Sequence, residues 1–111
     1  MTLKELIANL GLECFTDTTL PETPVTSAYT GDLLSDVMGN APSGSVWITI
    51  QTHLNVVAVA SLKEMAAIIF ANGRTPEAGT IKKCNEENIV LLGSKENAFT
   101  LSGKLYTQLP L

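Results

Sequence analysis

The stretch Ser45-Val46-Trp47-Ile48-Thr49-Ile50-Gln51-Thr52-His53-Leu54-Asn55-Val56-Val57-Ala58-Val59 wedges the only histidine and the only tryptophan between apolar runs. An imidazole titrates near pH 6.5, so His53 could serve as a general base or as a pH-sensitive contact for an anion. Three other turn clusters carry related chemistry: Thr30-Gly31-Asp32, Asn72-Gly73-Arg74 and Gly93-Ser94-Lys95-Glu96. Thr30, Thr52 and Ser94 can donate hydrogen bonds to a small anionic ligand or nucleotide phosphate, Asn55 or Asn72 can read a polar group, and Arg74 can supply charge. Helix N-termini next to such turns would add unpaired N–H groups and positive dipole ends. Each of these residue types is equally what a helix cap or tight turn requires, so a purely structural role stands beside the binding role.

Catalysis has less to work with. His53 with Asp32 is the minimal acid–base pair and defines a small-enzyme alternative, but no serine or cysteine is placed by spacing to be a nucleophile beside them. No G-x-G-x-x-G or Walker pattern occurs. No catalytic residue is therefore assigned. Cys14 and Cys84 lack C-x-x-C spacing and a second histidine, so no metal site is expected and both read as buried or half-buried reduced thiols. The residues name no cofactor.

The elements that must position these groups are set by composition and periodicity. A chain of 111 residues, 45% hydrophobic but only 5% aromatic, builds one core from Val, Ile, Leu and Ala, which suits a parallel sheet covered by helices. Seven basic against eleven acidic residues give a net charge of −4, and the pI is near 4.8. With no cationic cluster, a nucleic-acid partner is not expected, and the apolar runs are too short to span a membrane. A cytoplasmic domain is expected. The mean hydropathy of +0.22 suggests an apolar face buried in a homodimer.

Thr2-Leu3-Lys4-Glu5 has capping-box form and opens a helix that runs to Gly11. Leu12 to Phe15 reads as a brief strand, and Pro21 and Pro24 interrupt the polar stretch after it. Val25 to Tyr29 reads as a second strand, and Asp32 as the cap of a helix through Leu33, Leu34, Val37 and Met38, stopped by Gly39-Asn40. Val46 to Ile50 is a strand. Val56 to Ala60 has β-propensity, yet Thr52 and Asn55 are cap types, Leu62-Lys63-Glu64-Met65 continues in helix formers, and Ala66 to Phe70 lies a crossover away. A helix is therefore preferred over a hairpin. Thr75 as cap and Pro76 at the first helical position open a helix from Glu77 to Asn88. Ile89 to Leu92 is a buried strand, and a last helix carries Ala98, Phe99, Leu101 and Leu105. The order predicts a single α/β domain, three layers with a mostly parallel sheet and strand-helix repeats, whose functional edge is where strands end and helices begin.

From Gly44 to Tyr106, the succession SVWITI, NVVAVASLKEM, AAIIFANG, TPEAGTIKKCNEEN, IVLLGS and ENAFTLSGKLY resembles the DRTGG domain. Tyr29-Thr30-Gly31-Asp32-Leu33-Leu34 also fits that family's first strand-to-helix turn, so the likeness covers about residues 20–107. The same pattern is similar to the N-terminal domain of HPr kinase/phosphorylase. The resemblance implies a non-catalytic regulatory or ligand-sensing module. Short stand-alone members of the family imply a bacterial context beside anaerobic redox systems, and hence a partner protein there. Where the family pattern has an Asp-Arg pair this chain has Thr52-His53, and where it has Thr-Gly-Gly this chain has Ala71-Asn72-Gly73.

Overall fold

The computed structural model describes residues 1–110. Its elements, in order, are α1 (Leu3–Leu10), β1 (Glu13–Cys14), β2 (Ala28–Thr30), α2 (Leu34–Asn40), β3 (Val46–Thr49), α3 (Asn55–Leu62), β4 (Ala67–Phe70), α4 (Ala78–Glu86), β5 (Leu91–Gly93) and α5 (Ala98–Gln108). They form one five-stranded sheet in the order β1-β5-β4-β3-β2, with β2 to β5 parallel and β1 antiparallel against β5. The three-layer, mostly parallel α/β architecture expected from the residue pattern is the one observed.

Alternation along the strands splits the core in two. Val46, Ile48, Ala67, Ile69 and Leu92 point to the side covered by Leu3 and Leu6 of α1 and Leu101 and Leu105 of α5. Trp47, Ile68, Phe70 and Leu91 point to the side covered by Val37, Val56, Val57, Ala60 and Cys84 of α2, α3 and α4. The three parallel crossovers thus place their helices on one face, and the first and last helices cover the other.

Local chemistry explains most boundaries. In α1 the Thr2 hydroxyl accepts from the Glu5 amide at 3.2 Å and the Glu5 carboxylate accepts from the Thr2 amide at 3.0 Å. Those donors hold the Glu5 carboxyl below its ordinary value. Gly11, at φ 62°, closes the helix. The valine-rich α3 is helical, as the crossover argument requires, because burial of Val56, Val57, Val59 and Ala60 beneath the sheet outweighs their strand propensity.

Several expected boundaries move. The second strand begins at Ala28 rather than Val25, whose amide donates to the Met1 carbonyl at 2.7 Å. Neither Thr52 nor Asn55 caps α3: Leu54 occupies the cap position without a side-chain bond, and the His53 ring accepts from the Asn55 amide at 3.2 Å. α3 ends at Leu62, short of Lys63-Glu64-Met65. Asp32 does not cap α2, which starts at Leu34 and continues through Gly39 and Asn40; Leu33 is exposed. Thr75 and Pro76 precede α4 without capping it; Glu77 holds the cap position with no side-chain bond, and buried Thr80 ties the helix to the β3–α3 turn by donating to the Thr52 carbonyl at 3.0 Å. Phe99 of α5 is 89% exposed.

The helix ends of α3 and α4 share one device. Glu64 and Asn88 sit in the left-handed region at φ 50° and 56°, while Met65 donates to Ala60 and Ile89 to Cys84 in the six-to-one pattern of a Schellman stop. Cys84 is buried, and burial pushes its thiol up to about 11; Cys14, contrary to expectation, is exposed because β1 is a short edge strand.

Replacing Glu64 by glycine removes the left-handed cost of a side chain and is expected to raise stability by about 1 kcal/mol in urea denaturation. Ionisation of Cys84 is resisted only in the folded state, so its contribution is full below pH ~9 and is lost as pH rises towards ~11. Cys14 should react with a thiol reagent within the mixing time and Cys84 only on unfolding.

Candidate functional site

The carboxyl ends of β2, β3, β4 and β5 lie along one edge, so the four turns singled out in the sequence share that edge. They do not form one site. At the β2–β3 end, one Asp32 carboxylate oxygen accepts from the Thr49 hydroxyl and the Ile50 amide, each at 2.8 Å. The Trp47 indole N–H donates to the Gly31 carbonyl at 2.9 Å. Thr30 exchanges a hydroxyl bond of 2.7 Å with Ser102 of α5. These residues tie the first turn to the central strand and to α5.

His53 lies exposed in the β3–α3 turn, its Nδ1 occupied by the Asn55 amide, while Asp32 serves Thr49 and Ile50. Among the described residues no hydrogen bond joins His53 to Asp32, and the small-enzyme alternative receives no support from their placement. Asn55 lines a groove between α3 and α4, away from the other candidates.

At the β4–β5 end the arrangement differs. The chain leaves β4 towards α4 on one face and leaves β5 towards α5 on the other. Adjacent parallel strands whose continuations part to opposite faces open a crevice outside their carboxyl ends, the place where open α/β sheets bind ligands. A cavity of about 530 Å³ occupies it, within the range of small-molecule sites. Its lining comes from the α1–β1 turn with Leu10, Leu12 and Glu13, from Phe15, from Gly73, Arg74 and Thr75, and from Gly93, Ser94, Lys95 and Glu96.

The two loops that flank the crevice are joined by their backbones. Asn72 and Gly73, at φ 63° and 65°, are the central residues of a turn closed by the Arg74 amide on the Ala71 carbonyl, a left-handed pair that Asn-Gly adopts readily. The Asn72 amide donates to the Glu96 carbonyl at 2.7 Å and the Gly73 amide to the Ser94 carbonyl at 2.8 Å. These N–H groups are therefore spent on the loop and do not form an anion nest.

What remains for a ligand is side-chain chemistry. Arg74 and Lys95 make no ion pair among the described residues, whereas Glu96 is paired with Lys104 at 3.0 Å. Ser94 is buried, its oxygen accepting the Glu96 amide at 3.1 Å and its hydroxyl proton left to donate. Phe15 packs on Gly93 so closely that a Cβ there would lie 2.6 Å from the ring.

Of the candidate binding residues, Gly73, Arg74 and Ser94 line this crevice; Thr30, Gly31, Asp32, Thr52, His53, Asn55 and Asn72 do not. Sequence reasoning missed Phe15, Glu13 and Thr75 as lining residues and did not rank Lys95 among the binding residues. Glu13 and Phe15 reach the crevice only because β1 lies beside β5, a pairing no local pattern announces, whereas Thr75 and Lys95 come from the loops after β4 and β5. Outside the crevice, the Tyr29 hydroxyl donates to Asp36 at 2.5 Å, and that bond to a carboxylate raises the phenol above its ordinary range. No group of three or more His, Cys, Asp or Glu side chains suited to a metal, and no helix long and apolar enough to cross a membrane, occurs among the described residues.

These features define a three-layer α/β domain with a polar crevice where β4 and β5 diverge. No family model and no curated protein matches the sequence. Among solved structures, the crystal structure of the CBS and DRTGG domains of the regulatory region of Clostridium perfringens pyrophosphatase, complexed with the activator diadenosine tetraphosphate, superposes with a TM-score of 0.81 at 16% identity. The match covers 98% of this chain and 47% of that one, so the chain spans about half the length of the regulatory region it matches. The fold is thus DRTGG-like, as the family resemblance implied.

Gly93 gives a structural test of the crevice. Gly93→Ala forces a methyl into the Phe15 ring and is expected to cost about 2 kcal/mol in denaturant unfolding. A Phe15→Leu change in the same chain should recover part of that loss; equal stability of Gly93→Ala and wild type would contradict the packing described.

Proposed function

We propose that this domain is a non-catalytic regulatory module that senses a small anionic ligand, of which a nucleotide phosphate is the leading candidate, in the crevice between the β4 and β5 loops. The observation that carries the proposal is the presence of Arg74 and Lys95, without ion-pair partners among the described residues, on a cavity at the divergence of β4 and β5. Guanidinium and ammonium groups supply the charge, buried Ser94 a directed hydroxyl, and Phe15 an aromatic surface. The fold shared with a pyrophosphatase regulatory region crystallised with a nucleotide activator supports the same role. Thr30, Gly31, Asp32, Thr52, His53 and Asn72 then act as structural neighbours of the site, ordering the remaining turns.

A second reading, docking to a partner protein, which the family resemblance would place in an anaerobic redox system of the bacterial cytoplasm, has one observation in its favour. Phe99 and Tyr106, two helical turns apart on α5, are 89% and 66% exposed.

The ligand reading is tested by thermal denaturation with inorganic phosphate, AMP, ATP and diadenosine tetraphosphate. A ligand near a hundred times its dissociation constant adds roughly 2.7 kcal/mol, which in a domain of this size raises Tm by roughly 10 °C. The rise should vanish in Arg74→Ala/Lys95→Ala and persist in His53→Ala. No rise with any of the four, or one that survives the double substitution, would sink the proposal.

A further inference from the structure

The outer side of α3 poses a separate problem. From Leu54 to Leu62 the helix and its lead-in carry no charged residue. Val56, Val57, Val59 and Ala60 are buried under the sheet, yet the opposite side presents Leu54 at 44% and Leu62 at 71% exposure, with Ala58 and Ser61 between them. A helix apolar on both sides is characteristic of one covered on both sides. Between α3 and α4 lies a groove of about 440 Å³, lined by Leu54, Ala58 and Leu62 and bordered by Lys83 and Glu87.

We infer that this groove is the two-fold interface of a homodimer, its occupant the α3 helix of a second copy of this chain. The order of side chains and charges along the groove matches its own reverse, a leucine at each end and opposite charges on the rim, as an isologous contact requires. α3 and α4 run in the same direction, each linking parallel strands of the sheet. A two-fold axis across both helices therefore sets α3 antiparallel on its counterpart and α4 antiparallel on its own. With the crossing centred on Ala58, Leu54 of each copy then lies against Leu62 of the other, and the small Ala58 side chains meet between the two leucine pairs. Small residues at the crossing let the helices approach closely.

The charges obey the same symmetry. Lys83 and Glu87 stand one turn apart on the rim, and within one copy their side chains meet at 3.3 Å at the surface. Reversal of α4 brings Lys83 of each copy towards Glu87 of the other. Because an exposed pair contributes little on its own, these charges set register more than affinity, and the leucines provide the apolar burial. The inference is independent of the ligand crevice, which opens at the edge of the sheet rather than over the α3–α4 layer.

Sedimentation velocity on the full chain at about 100 µM, where a micromolar dimer would be nearly complete, tests it. Wild type should sediment as a dimer. Leu62→Glu, a change at an exposed position, should give a monomer with an unchanged circular dichroism spectrum. Lys83→Glu should weaken association about tenfold by setting like charges across the interface, and Lys83→Glu/Glu87→Lys should restore it. A monomeric wild type, a dimer untouched by Leu62→Glu, or a charge exchange that does not restore association would each overturn the interface.

Discussion

The structure depends on one constraint: β3 and β4 are buried on both faces. Every residue of Val46–Thr49 and Ala67–Phe70 is buried, and Trp47 and Phe70, the largest side chains there, are fully enclosed. A strand buried on both sides needs helices on both sides. Each large side chain enclosed in this way contributes roughly 1.5–3 kcal/mol, so covering the central pair dominates the energetics of a domain this small. The helices α2, α3 and α4 meet half of that requirement, and α1 with α5 the other half.

That division creates the crevice. Three successive crossovers on one face bring the chain across the sheet to β5, beside β1, and the last helix has to cross to the bare face. The divergence between α4 and α5 separates the loops after β4 and β5, and the α1–β1 turn closes the third side. The ligand site proposed there arises from completing the core. The turns at the other end of the same edge have no such divergence, because α2 and α3 lie on one side. There Asp32 and Trp47 draw the β2 turn onto β3, and polar groups that resemble a binding constellation in sequence are consumed in holding loops.

Asp32 and Arg74 show how differently two polar turn residues can end. Each stands beside a glycine in a turn at the carboxyl end of a parallel strand. Asp32 can accept two donors from the neighbouring strand and is tied by them, whereas Arg74 can only donate, and the Asn72-Gly73 amides beside it already occupy the nearby Ser94 and Glu96 carbonyls. The acceptor became structural and the cation stayed outside any ion pair among the described residues.

The amino-acid sequence by itself determined the elements whose signals are local. The capping box at Thr2 and Glu5, the stop at Gly11, the apolar runs at Val46–Ile50 and Ala66–Phe70, and the alternation of strand with helix formers were all legible, and with them the layered parallel fold. The valine-rich α3 was legible only because a crossover had to join two parallel strands. Tertiary structure decided the remainder. Which strands are neighbours, which face each helix covers, and therefore where the chain opens a crevice, depend on contacts between residues far apart in sequence, such as Phe15 on Gly93. Gly73, Arg74 and Ser94 were found from turn chemistry, but Phe15 and Glu13 were invisible because their part in the site comes from the antiparallel pairing of β1 with β5. A side chain's type states which bonds it can make; only packing states which of those bonds are already made.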